Sequence, residues 1–297
     1  MERMKLHAQG PEFSRMITGV WRWSNLMHQQ IHTLIEKSVD VGITTFDHAD
    51  IYGDYSCEEQ FGVVLKGNSS LRKKIQLVTK CGIKLLSGKR PQHRVKHYDT
   101  SRDHIVNSVE QSLKNLNTDY LDLLLLHRPD PLMHPEEVAE AFDLLKQNGK
   151  VLHFGVSNFT PAQFEMLQSF VHDPLVTNQV ELSLFQHQAL FDGTVDVLMK
   201  HRVSPMAWSP LGGGKFFSSS GGDDAVNMPL EKMASQYKCS VGQLLLAWLL
   251  RHPSGILPIL GTTNPDRIQE GAGALNVHVD RQDWFEMLKV VSGHDVA

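Results

Sequence analysis

Four titratable side chains stand at or just beyond the ends of predicted strands. Asp47 ends one apolar run and Tyr52 follows five residues later, while Lys80 and His127 end two later runs. A buried lysine and a buried aspartate are each costly unless they pair. Tyrosine keeps its proton at neutral pH, and a neighbouring ammonium lowers its pKa. The set predicts carbonyl reduction: Tyr52 donates the proton, Asp47 anchors Lys80 beside it, and His127 orients the substrate oxygen.

The elements that must position these side chains recur along the chain. Eight apolar runs predict strands, at residues 16–20, 43–47, 75–80, 121–127, 151–157, 175–180, 203–208 and 256–260. Amphipathic segments alternate with them, and several runs are apolar throughout, as expected for a parallel sheet covered on both faces. The predicted fold class is α/β, a (β/α)8 TIM barrel that forms a single domain over residues 1–297. A β-hairpin around Gly10 and Pro11, residues 6–16, precedes it. The strand ends meet at one mouth of a barrel, which is where the four side chains should converge.

Composition excludes several classes of protein. The 297 residues are 41% hydrophobic and 21% charged, which is typical of a soluble globular protein. The net charge of −4 argues against binding of nucleic acid. No apolar stretch is long enough for a membrane helix, and the amino terminus lacks the apolar segment of a signal peptide. The three cysteines are too few and too widely spaced for a disulfide framework. We expect a cytoplasmic protein with no nucleic-acid or membrane partner.

Seven segments carry a resemblance to a known family. They occur in the order FDHADIYG, VTKCG, LLLLHRPD, FGVSNF, TNQVE, AWSPLGGG and GTTNPDRIQE. Together they closely resemble the aldo-keto reductases over nearly the whole chain. HRPDPL followed by GKVLHFGVSNFTPAQF looks most like the bacterial YdhF-like oxidoreductase branch. The resemblance implies that Asp47, Tyr52, Lys80 and His127 form a catalytic tetrad, that the cofactor is NADPH (NADP+), and that the substrate is a small-molecule carbonyl. We also expect a monomer.

The resemblance also assigns cofactor-binding residues along the barrel mouth. Ser157, Asn158 and Gln179 would hold the nicotinamide carboxamide, and Trp208 would stack on the ring. Gly19, Val20 and Trp21 would form the turn beneath the nicotinamide. Asp47 of the tetrad would also contact the cofactor. The segment that wraps the pyrophosphate includes Ser209, Leu211 and Gly212, and residues 212–224 are predicted to be a mobile loop. The adenosine end would be bound by Gly261, Thr262, Arg267 and Glu270, with the Arg267 guanidinium gripping a 2′-phosphate.

The substrate and two charged residues are left open. Trp21, Trp23 and Tyr55 would form an aromatic pocket wall, which suits an apolar or aromatic aldehyde. Arg128 follows the catalytic histidine directly, and it could either attract a carboxylate or pair with Asp130. Asp50 has no assigned role, and a solvated or helix-capping carboxylate is expected there.

Two other functions are compatible with parts of the pattern. A cofactor-bound regulatory module, like the aldo-keto-reductase-like beta subunits of potassium channels, would keep the cofactor residues, and turnover of aldehydes distinguishes it from an enzyme. A metal-dependent barrel hydrolase would use Asp47, His48 and His127 as ligands. This second alternative lacks the H-x-H pair at a strand end, and we expect no metal.

Overall fold

The computed structural model describes residues 1–217 and 224–296. Its strands are β1 (Arg3–Lys5), β2 (Glu12–Ser14), β3 (Ile17–Gly19), β4 (Thr45–Asp47), β5 (Gln76–Cys81), β6 (Ile83–Lys84), β7 (His97–Tyr98), β8 (Leu123–Leu126), β9 (Phe154–Ser157), β10 (Leu175–Glu181), β11 (Met206–Trp208) and β12 (Leu257–Leu260). Eight of them close into a barrel in the order β3-β4-β5-β8-β9-β10-β11-β12, and every neighbouring pair is parallel. The (β/α)8 prediction is confirmed, and each of the eight predicted strand segments overlaps one barrel strand.

Helices follow the barrel strands and cover the outside of the sheet. They are α1 (His28–Asp40), α2 (Tyr52–Tyr55), α3 (Cys57–Leu65), α4 (Ser69–Arg72), α5 (Arg102–Leu116), α6 (Pro135–Gln147), α7 (Pro161–Gln168), α8 (Thr194–Lys200), α9 (Asp224–Gln236), α10 (Val241–Leu250), α11 (Pro265–Ala272) and α12 (Arg281–Ser292). Their starts are set by local sequence: the Ser101 hydroxyl caps α5, and Thr160 caps α7 with Pro161 in the first turn. Caps of this kind fix where each strand-to-helix connection ends and therefore where the mouth residues sit.

A hairpin around Gly10 and Pro11 is present, but its first strand, β1, lies before the predicted range 6–16. The hairpin closes the end of the barrel away from the strand ends that bear the tetrad. Strands β1 and β2 pair antiparallel. Leu6 and Phe13 from the hairpin are fully buried in one apolar cluster with Ile17, Leu123 and other residues from the starts of barrel strands. Burial of this apolar surface holds the hairpin in place.

The parallel ladder continues beyond the strands and fixes the functional segments relative to each other. The Val20 amide donates to the Asp47 carbonyl at 3.1 Å, and the Asp50 amide donates to the Lys80 carbonyl at 3.0 Å. The His127 amide donates to the carbonyl of Cys81, the residue after Lys80, at 2.8 Å. Backbone bonds therefore set the spacing of the side chains that line the mouth.

The segment after β11 is described up to residue 217. Residues Gly212–Phe217 form a short 3-10 turn and α9 begins at Asp224, so both ends of the predicted loop 212–224 are ordered chain. Residues 218–223 of that predicted mobile loop lie outside the described residues. Within residues 1–217 and 224–296, no helix is long and apolar enough to cross a bilayer.

Candidate active site

Lys80 lies at the centre of the predicted tetrad. Its side chain is fully buried, and Nζ donates to Asp47 Oδ2 at 2.7 Å and to the phenol oxygen of Tyr52 at 3.0 Å. A third bond goes to the His48 carbonyl at 2.8 Å, so all three ammonium protons have acceptors. The other oxygen of Asp47 accepts from Gln179 Nε2 at 2.8 Å. The expected pairing of lysine, aspartate and tyrosine is therefore present as a contact network.

Burial changes the electrostatics of the pair that the sequence suggested. Burial is the largest influence on the phenol and raises the pKa of Tyr52 above its usual value, although the Lys80 charge acts to lower it. The Lys80 ammonium does lower the pKa of Tyr52, as expected, but the effect of burial is larger. The expectation of a net decrease in this pKa is therefore wrong. Burial alone would lower the pKa of Lys80, but Asp47 and Tyr52 raise it. At neutral pH the phenol is protonated and the lysine is charged.

His127 faces Tyr52 across the mouth of the barrel. The two rings meet edge to face with centroids 5.8 Å apart, and both residues line the same cavity. Burial, and then the charges of Lys80 and Arg128, hold the pKa of His127 well below its usual value. Its Nδ1 is buried without a hydrogen-bond partner among the described residues. A neutral imidazole in this position can donate only one ring proton to a substrate oxygen.

Asp50 is partly buried and is not the cap residue of the following helix, which corrects the expectation of a solvated or capping carboxylate. One of its carboxyl oxygens, Oδ1, is buried with no hydrogen-bond partner among the described residues. Burial, reinforced by the nearby Glu58 charge, raises the pKa of Asp50 well above its usual value. Asp50 lies between Asp47 and Tyr52 in sequence, but it does not line the cavity that those two residues line.

A cavity of about 690 Å³ opens at the carboxyl ends of the strands. Three of the four tetrad residues, Asp47, Tyr52 and His127, line it, and Lys80 lies behind them. The residues predicted to bind cofactor that also line it are Gly19, Trp21, Asp47, Gln179, Trp208, Ser209, Leu211, Gly261, Thr262, Arg267 and Glu270. One continuous space therefore connects the tetrad to the residues expected at the adenosine end.

Four predicted cofactor residues do not line that cavity. Val20 is fully buried, and Gly212 has a φ of +60° and leaves no room for a Cβ, which would come 2.8 Å from the ring of Phe185. Ser157 is buried and Asn158 is partly exposed, and neither lines the cavity. The Asn158 side chain donates to Ser157 Oγ at 2.7 Å and accepts from Trp208 Nε1 at 3.0 Å. In this structure the two residues hold the Trp208 indole in place.

Strained backbone occurs at two of these positions. Asn158 has a φ of +59° and Ser209 a φ of +51°, in the left-handed region that non-glycine residues seldom adopt. Both follow directly on the ends of barrel strands. Such strain persists where surrounding structure imposes it, and it is common at ligand sites.

The far end of the cavity carries features suited to phosphate groups. Gly213 has a φ of +68° and lines the cavity with no side chain, so its backbone is open to a ligand. Gly261 lies under the exposed Trp21 indole: a Cβ built on it would come 3.0 Å from Trp21 Nε1. Arg267 is exposed and has no acidic partner within ion-pair distance among the described residues. These features fit a dinucleotide with a further phosphate at its adenosine end.

The expected aromatic wall of the substrate pocket is wrong in two of its three residues. Trp23 is 1% exposed and stacks on Phe61 inside the core. The Tyr55 hydroxyl accepts from the Leu85 amide, and Tyr55 does not line the cavity. Of the three, Trp21 alone lines the cavity.

Sequence reasoning missed several residues that line the cavity. They include Arg22, Gly214, Phe217, Gln243, Leu246, Thr263 and Asn264. The glycine run after Trp208 signalled some of them. Gln243 and Leu246 had no such signal because they lie on α10, whose sequence reads as an ordinary apolar helix.

No metal site is evident in the part of the chain that the structure describes. No group of three or more His, Cys, Asp or Glu side chains is arranged to hold an ion there. Both oxygens of Asp47 are already engaged by Lys80 and Gln179. Asp47 is thus ill suited to serve as the metal ligand of the alternative hydrolase.

Comparison with known proteins gives a consistent result. Residues 15–291 match the model of the Aldo/keto reductase family. Oxidoreductase YdhF of Escherichia coli (strain K12) is 48% identical, and the match covers 100% of this chain and 99% of that protein. The 6-dehydroglucose reductase of Agrobacterium fabrum is 47% identical over 96% of this chain and 97% of its own length. The crystal structure of the thermostable aldo-keto reductase Tm1743 with the inhibitor epalrestat superposes with a TM-score of 0.83 at 25% identity, covering 98% and 99% of the two chains.

Proposed function

The chain belongs to the aldo/keto reductase family, and from that premise we propose that it reduces an aldehyde or ketone to an alcohol with NADPH, with Tyr52 as the proton donor. One observation carries the proposal: Lys80 Nζ contacts both Asp47 and the Tyr52 hydroxyl, and that hydroxyl lies on the wall of a large cavity. The resemblance to the YdhF-like branch predicted from the sequence is confirmed at the level of the whole chain.

The arrangement suits a proton transfer that follows hydride delivery. When NADPH is bound, its nicotinamide supplies the hydride. The Tyr52 phenol is protonated at neutral pH, so it can give its proton to the oxygen of the reduced carbonyl. The Lys80 ammonium at 3.0 Å then stabilises the phenolate that remains. Asp47 holds Lys80 in place, and neutral His127 donates a hydrogen bond that orients the substrate oxygen.

The residues available for the cofactor support NADPH. We propose that Trp208 stacks on the nicotinamide and that Gln179, with Ser157 and Asn158 behind it, binds the carboxamide. Arg267, which lacks an acidic partner among the described residues, is assigned to the 2′-phosphate. Further predictions from the sequence are that residues 1–297 form one domain and that the enzyme is a cytoplasmic monomer.

Screening of carbonyl compounds tests this function. Consumption of NADPH by the purified protein is followed with aldehydes, ketones and quinones, and the alcohol product is identified by chromatography. The panel includes 6-dehydroglucose because a 47% identical relative is named as its reductase. Reduction of any aldehyde or ketone with equimolar NADPH consumption supports the proposal. Tight NADPH binding with no turnover of any carbonyl compound contradicts it and favours a regulatory module.

A further inference from the structure

Arg128 places a guanidinium at the wall of the cavity beside the tetrad. It directly follows His127, lines the cavity and is only partly buried. Its Nη1 donates to the His127 carbonyl at 2.8 Å and lies 3.5 Å from Ser157 Oγ. Nε and Nη2 donate to no atom of the described residues. The Nε and Nη2 edge of the planar guanidinium therefore has donors available for two parallel hydrogen bonds.

No carboxylate of the described chain neutralises this charge. Asp130, the partner considered from the sequence, accepts from the Thr100 hydroxyl at 3.1 Å and from the Leu132 amide at 2.9 Å. The charge of Glu181 is close enough to raise the pKa of Arg128, but the two residues form no ion pair. A partly buried cation without a counter-ion is costly to hold, and an anion entering the cavity would remove that cost.

The surrounding charges also favour an anion. Lys80 is balanced by Asp47, and His127 is neutral, so neither adds net charge to the mouth. Arg22 lines the same cavity, and the charge of the exposed Lys96 is close enough to help lower the pKa of His127. A mouth with unbalanced positive charge raises the local concentration of an anionic substrate.

On these grounds, and on the basis of the function proposed above, we infer that Arg128 binds a carboxylate on the carbonyl substrate and that oxo acids are preferred to their neutral analogues. A single guanidinium fork matches a carboxylate in geometry and in charge. Trp21 and Trp208, which also line the cavity, would contact the carbon chain between the carbonyl and the carboxylate of the substrate.

Paired substrates test the inference. Values of kcat/KM are measured for 4-oxobutanoate and 6-oxohexanoate and for their methyl esters, with the wild type, Arg128→Gln and Arg128→Lys. For whichever of the two oxo acids is the better substrate, we expect the wild-type kcat/KM to exceed that of its methyl ester by at least about tenfold. Arg128→Gln should reduce this acid-to-ester ratio of kcat/KM by about 10- to 100-fold. Arg128→Lys should give an intermediate ratio because the charge stays while the fork is lost.

Arg22→Gln is the matched control. Arg22 lines the same cavity but is exposed and lies over the Trp21 ring, 4.6 Å from its centroid. Loss of such an exposed charge should change the acid-to-ester ratio by only about threefold. The NADPH dissociation constant of each variant is measured in parallel and reports whether Arg128 acts on the cofactor instead.

Four results of these kinetic and cofactor-binding assays would overturn the inference. They are a wild-type ratio near one for both pairs, a ratio that survives Arg128→Gln, an equal fall in the ratio with Arg22→Gln, and a rise in the NADPH dissociation constant that matches the loss with the acid. Binding of butanoate and butanamide to the NADP+-loaded protein, measured by calorimetry, needs no turnover. If butanoate binds more tightly than butanamide and this preference depends on Arg128, the carboxylate site is supported even if the proposed reduction fails. Equal binding of butanoate and butanamide refutes the carboxylate site.

Discussion

Replacement of Lys80 by methionine should destabilise the fold strongly. Methionine keeps most of the length and the apolar stem but removes the ammonium, which leaves the Asp47 carboxylate buried with only the Gln179 bond at 2.8 Å. Removing one partner of a buried ion pair costs about 3–5 kcal/mol. We therefore expect Lys80→Met to lower the free energy of unfolding by about that amount at pH 7.

The double variant tests whether the loss comes from the pair. In Asp47→Asn/Lys80→Met both charges are absent, so the combined loss should be smaller than the sum of the two single losses by about 0.5–3 kcal/mol. Lys84→Met is a matched control, because Lys84 is partly exposed and lies 3.4 Å from Asp99, and it should cost less than about 1 kcal/mol.

Urea unfolding at pH 7, followed by tryptophan fluorescence and far-ultraviolet circular dichroism, gives these free energies if the two signals change together. The pKa of Lys80 is raised in the folded state, so its contribution is complete below the ordinary lysine pKa and is lost only as pH rises through the folded value. A Lys80→Met variant as stable as Lys84→Met, or strictly additive single losses, would show that the buried Lys80–Asp47 pair does not cause the loss.

Three further predictions concern the cofactor and acid stability. NADPH should bind at least about tenfold tighter than NADH, and Arg267→Gln should abolish the difference, as measured by fluorescence titration; equal affinities in the wild type refute the role of Arg267. NADPH should quench tryptophan emission much less in Trp208→Leu than in the control Trp284→Phe, which alters a tryptophan that lies outside the cavity; equal quenching refutes the stacking. Burial and then the Lys80 charge lower the pKa of His48 to about 3, so stability should fall as pH drops from the ordinary histidine value towards that pKa. His48→Leu should remove about 2 kcal/mol of the loss between pH 7 and pH 5 in urea unfolding, and an unchanged loss contradicts the assignment.

The barrel could be predicted because its signals are local. Eight apolar runs and the amphipathic segments between them fix the strands and helices, and parallel strands bring their carboxyl ends together. Asp47, Lys80 and His127 were found at strand ends for that reason. Ser101 and Thr160 marked helix starts through their cap residue types.

Features that depend on long-range packing could not be predicted. Trp23 and Trp21 are two residues apart in sequence, yet one is buried in the core and the other is half exposed at the mouth. The net pKa shift of Tyr52 depends on how deeply the phenol is buried, which no spacing reports. The open fork of Arg128 likewise follows from where Asp130 finds its partners, Thr100 and the Leu132 amide.

The rate of hydride transfer in Tyr52→Phe tests the role of Tyr52 as proton donor. A single turnover of NADPH-loaded protein with a good aldehyde is followed in the wild type and in the variant, which lacks only the hydroxyl that Lys80 contacts at 3.0 Å. We expect a rate lower by about 10²–10⁴ in the variant, the usual contribution of a positioned general acid, with little change in the NADPH dissociation constant. A wild-type rate in Tyr52→Phe, under conditions where chemistry limits the turnover, would contradict the assignment of Tyr52 as the proton donor.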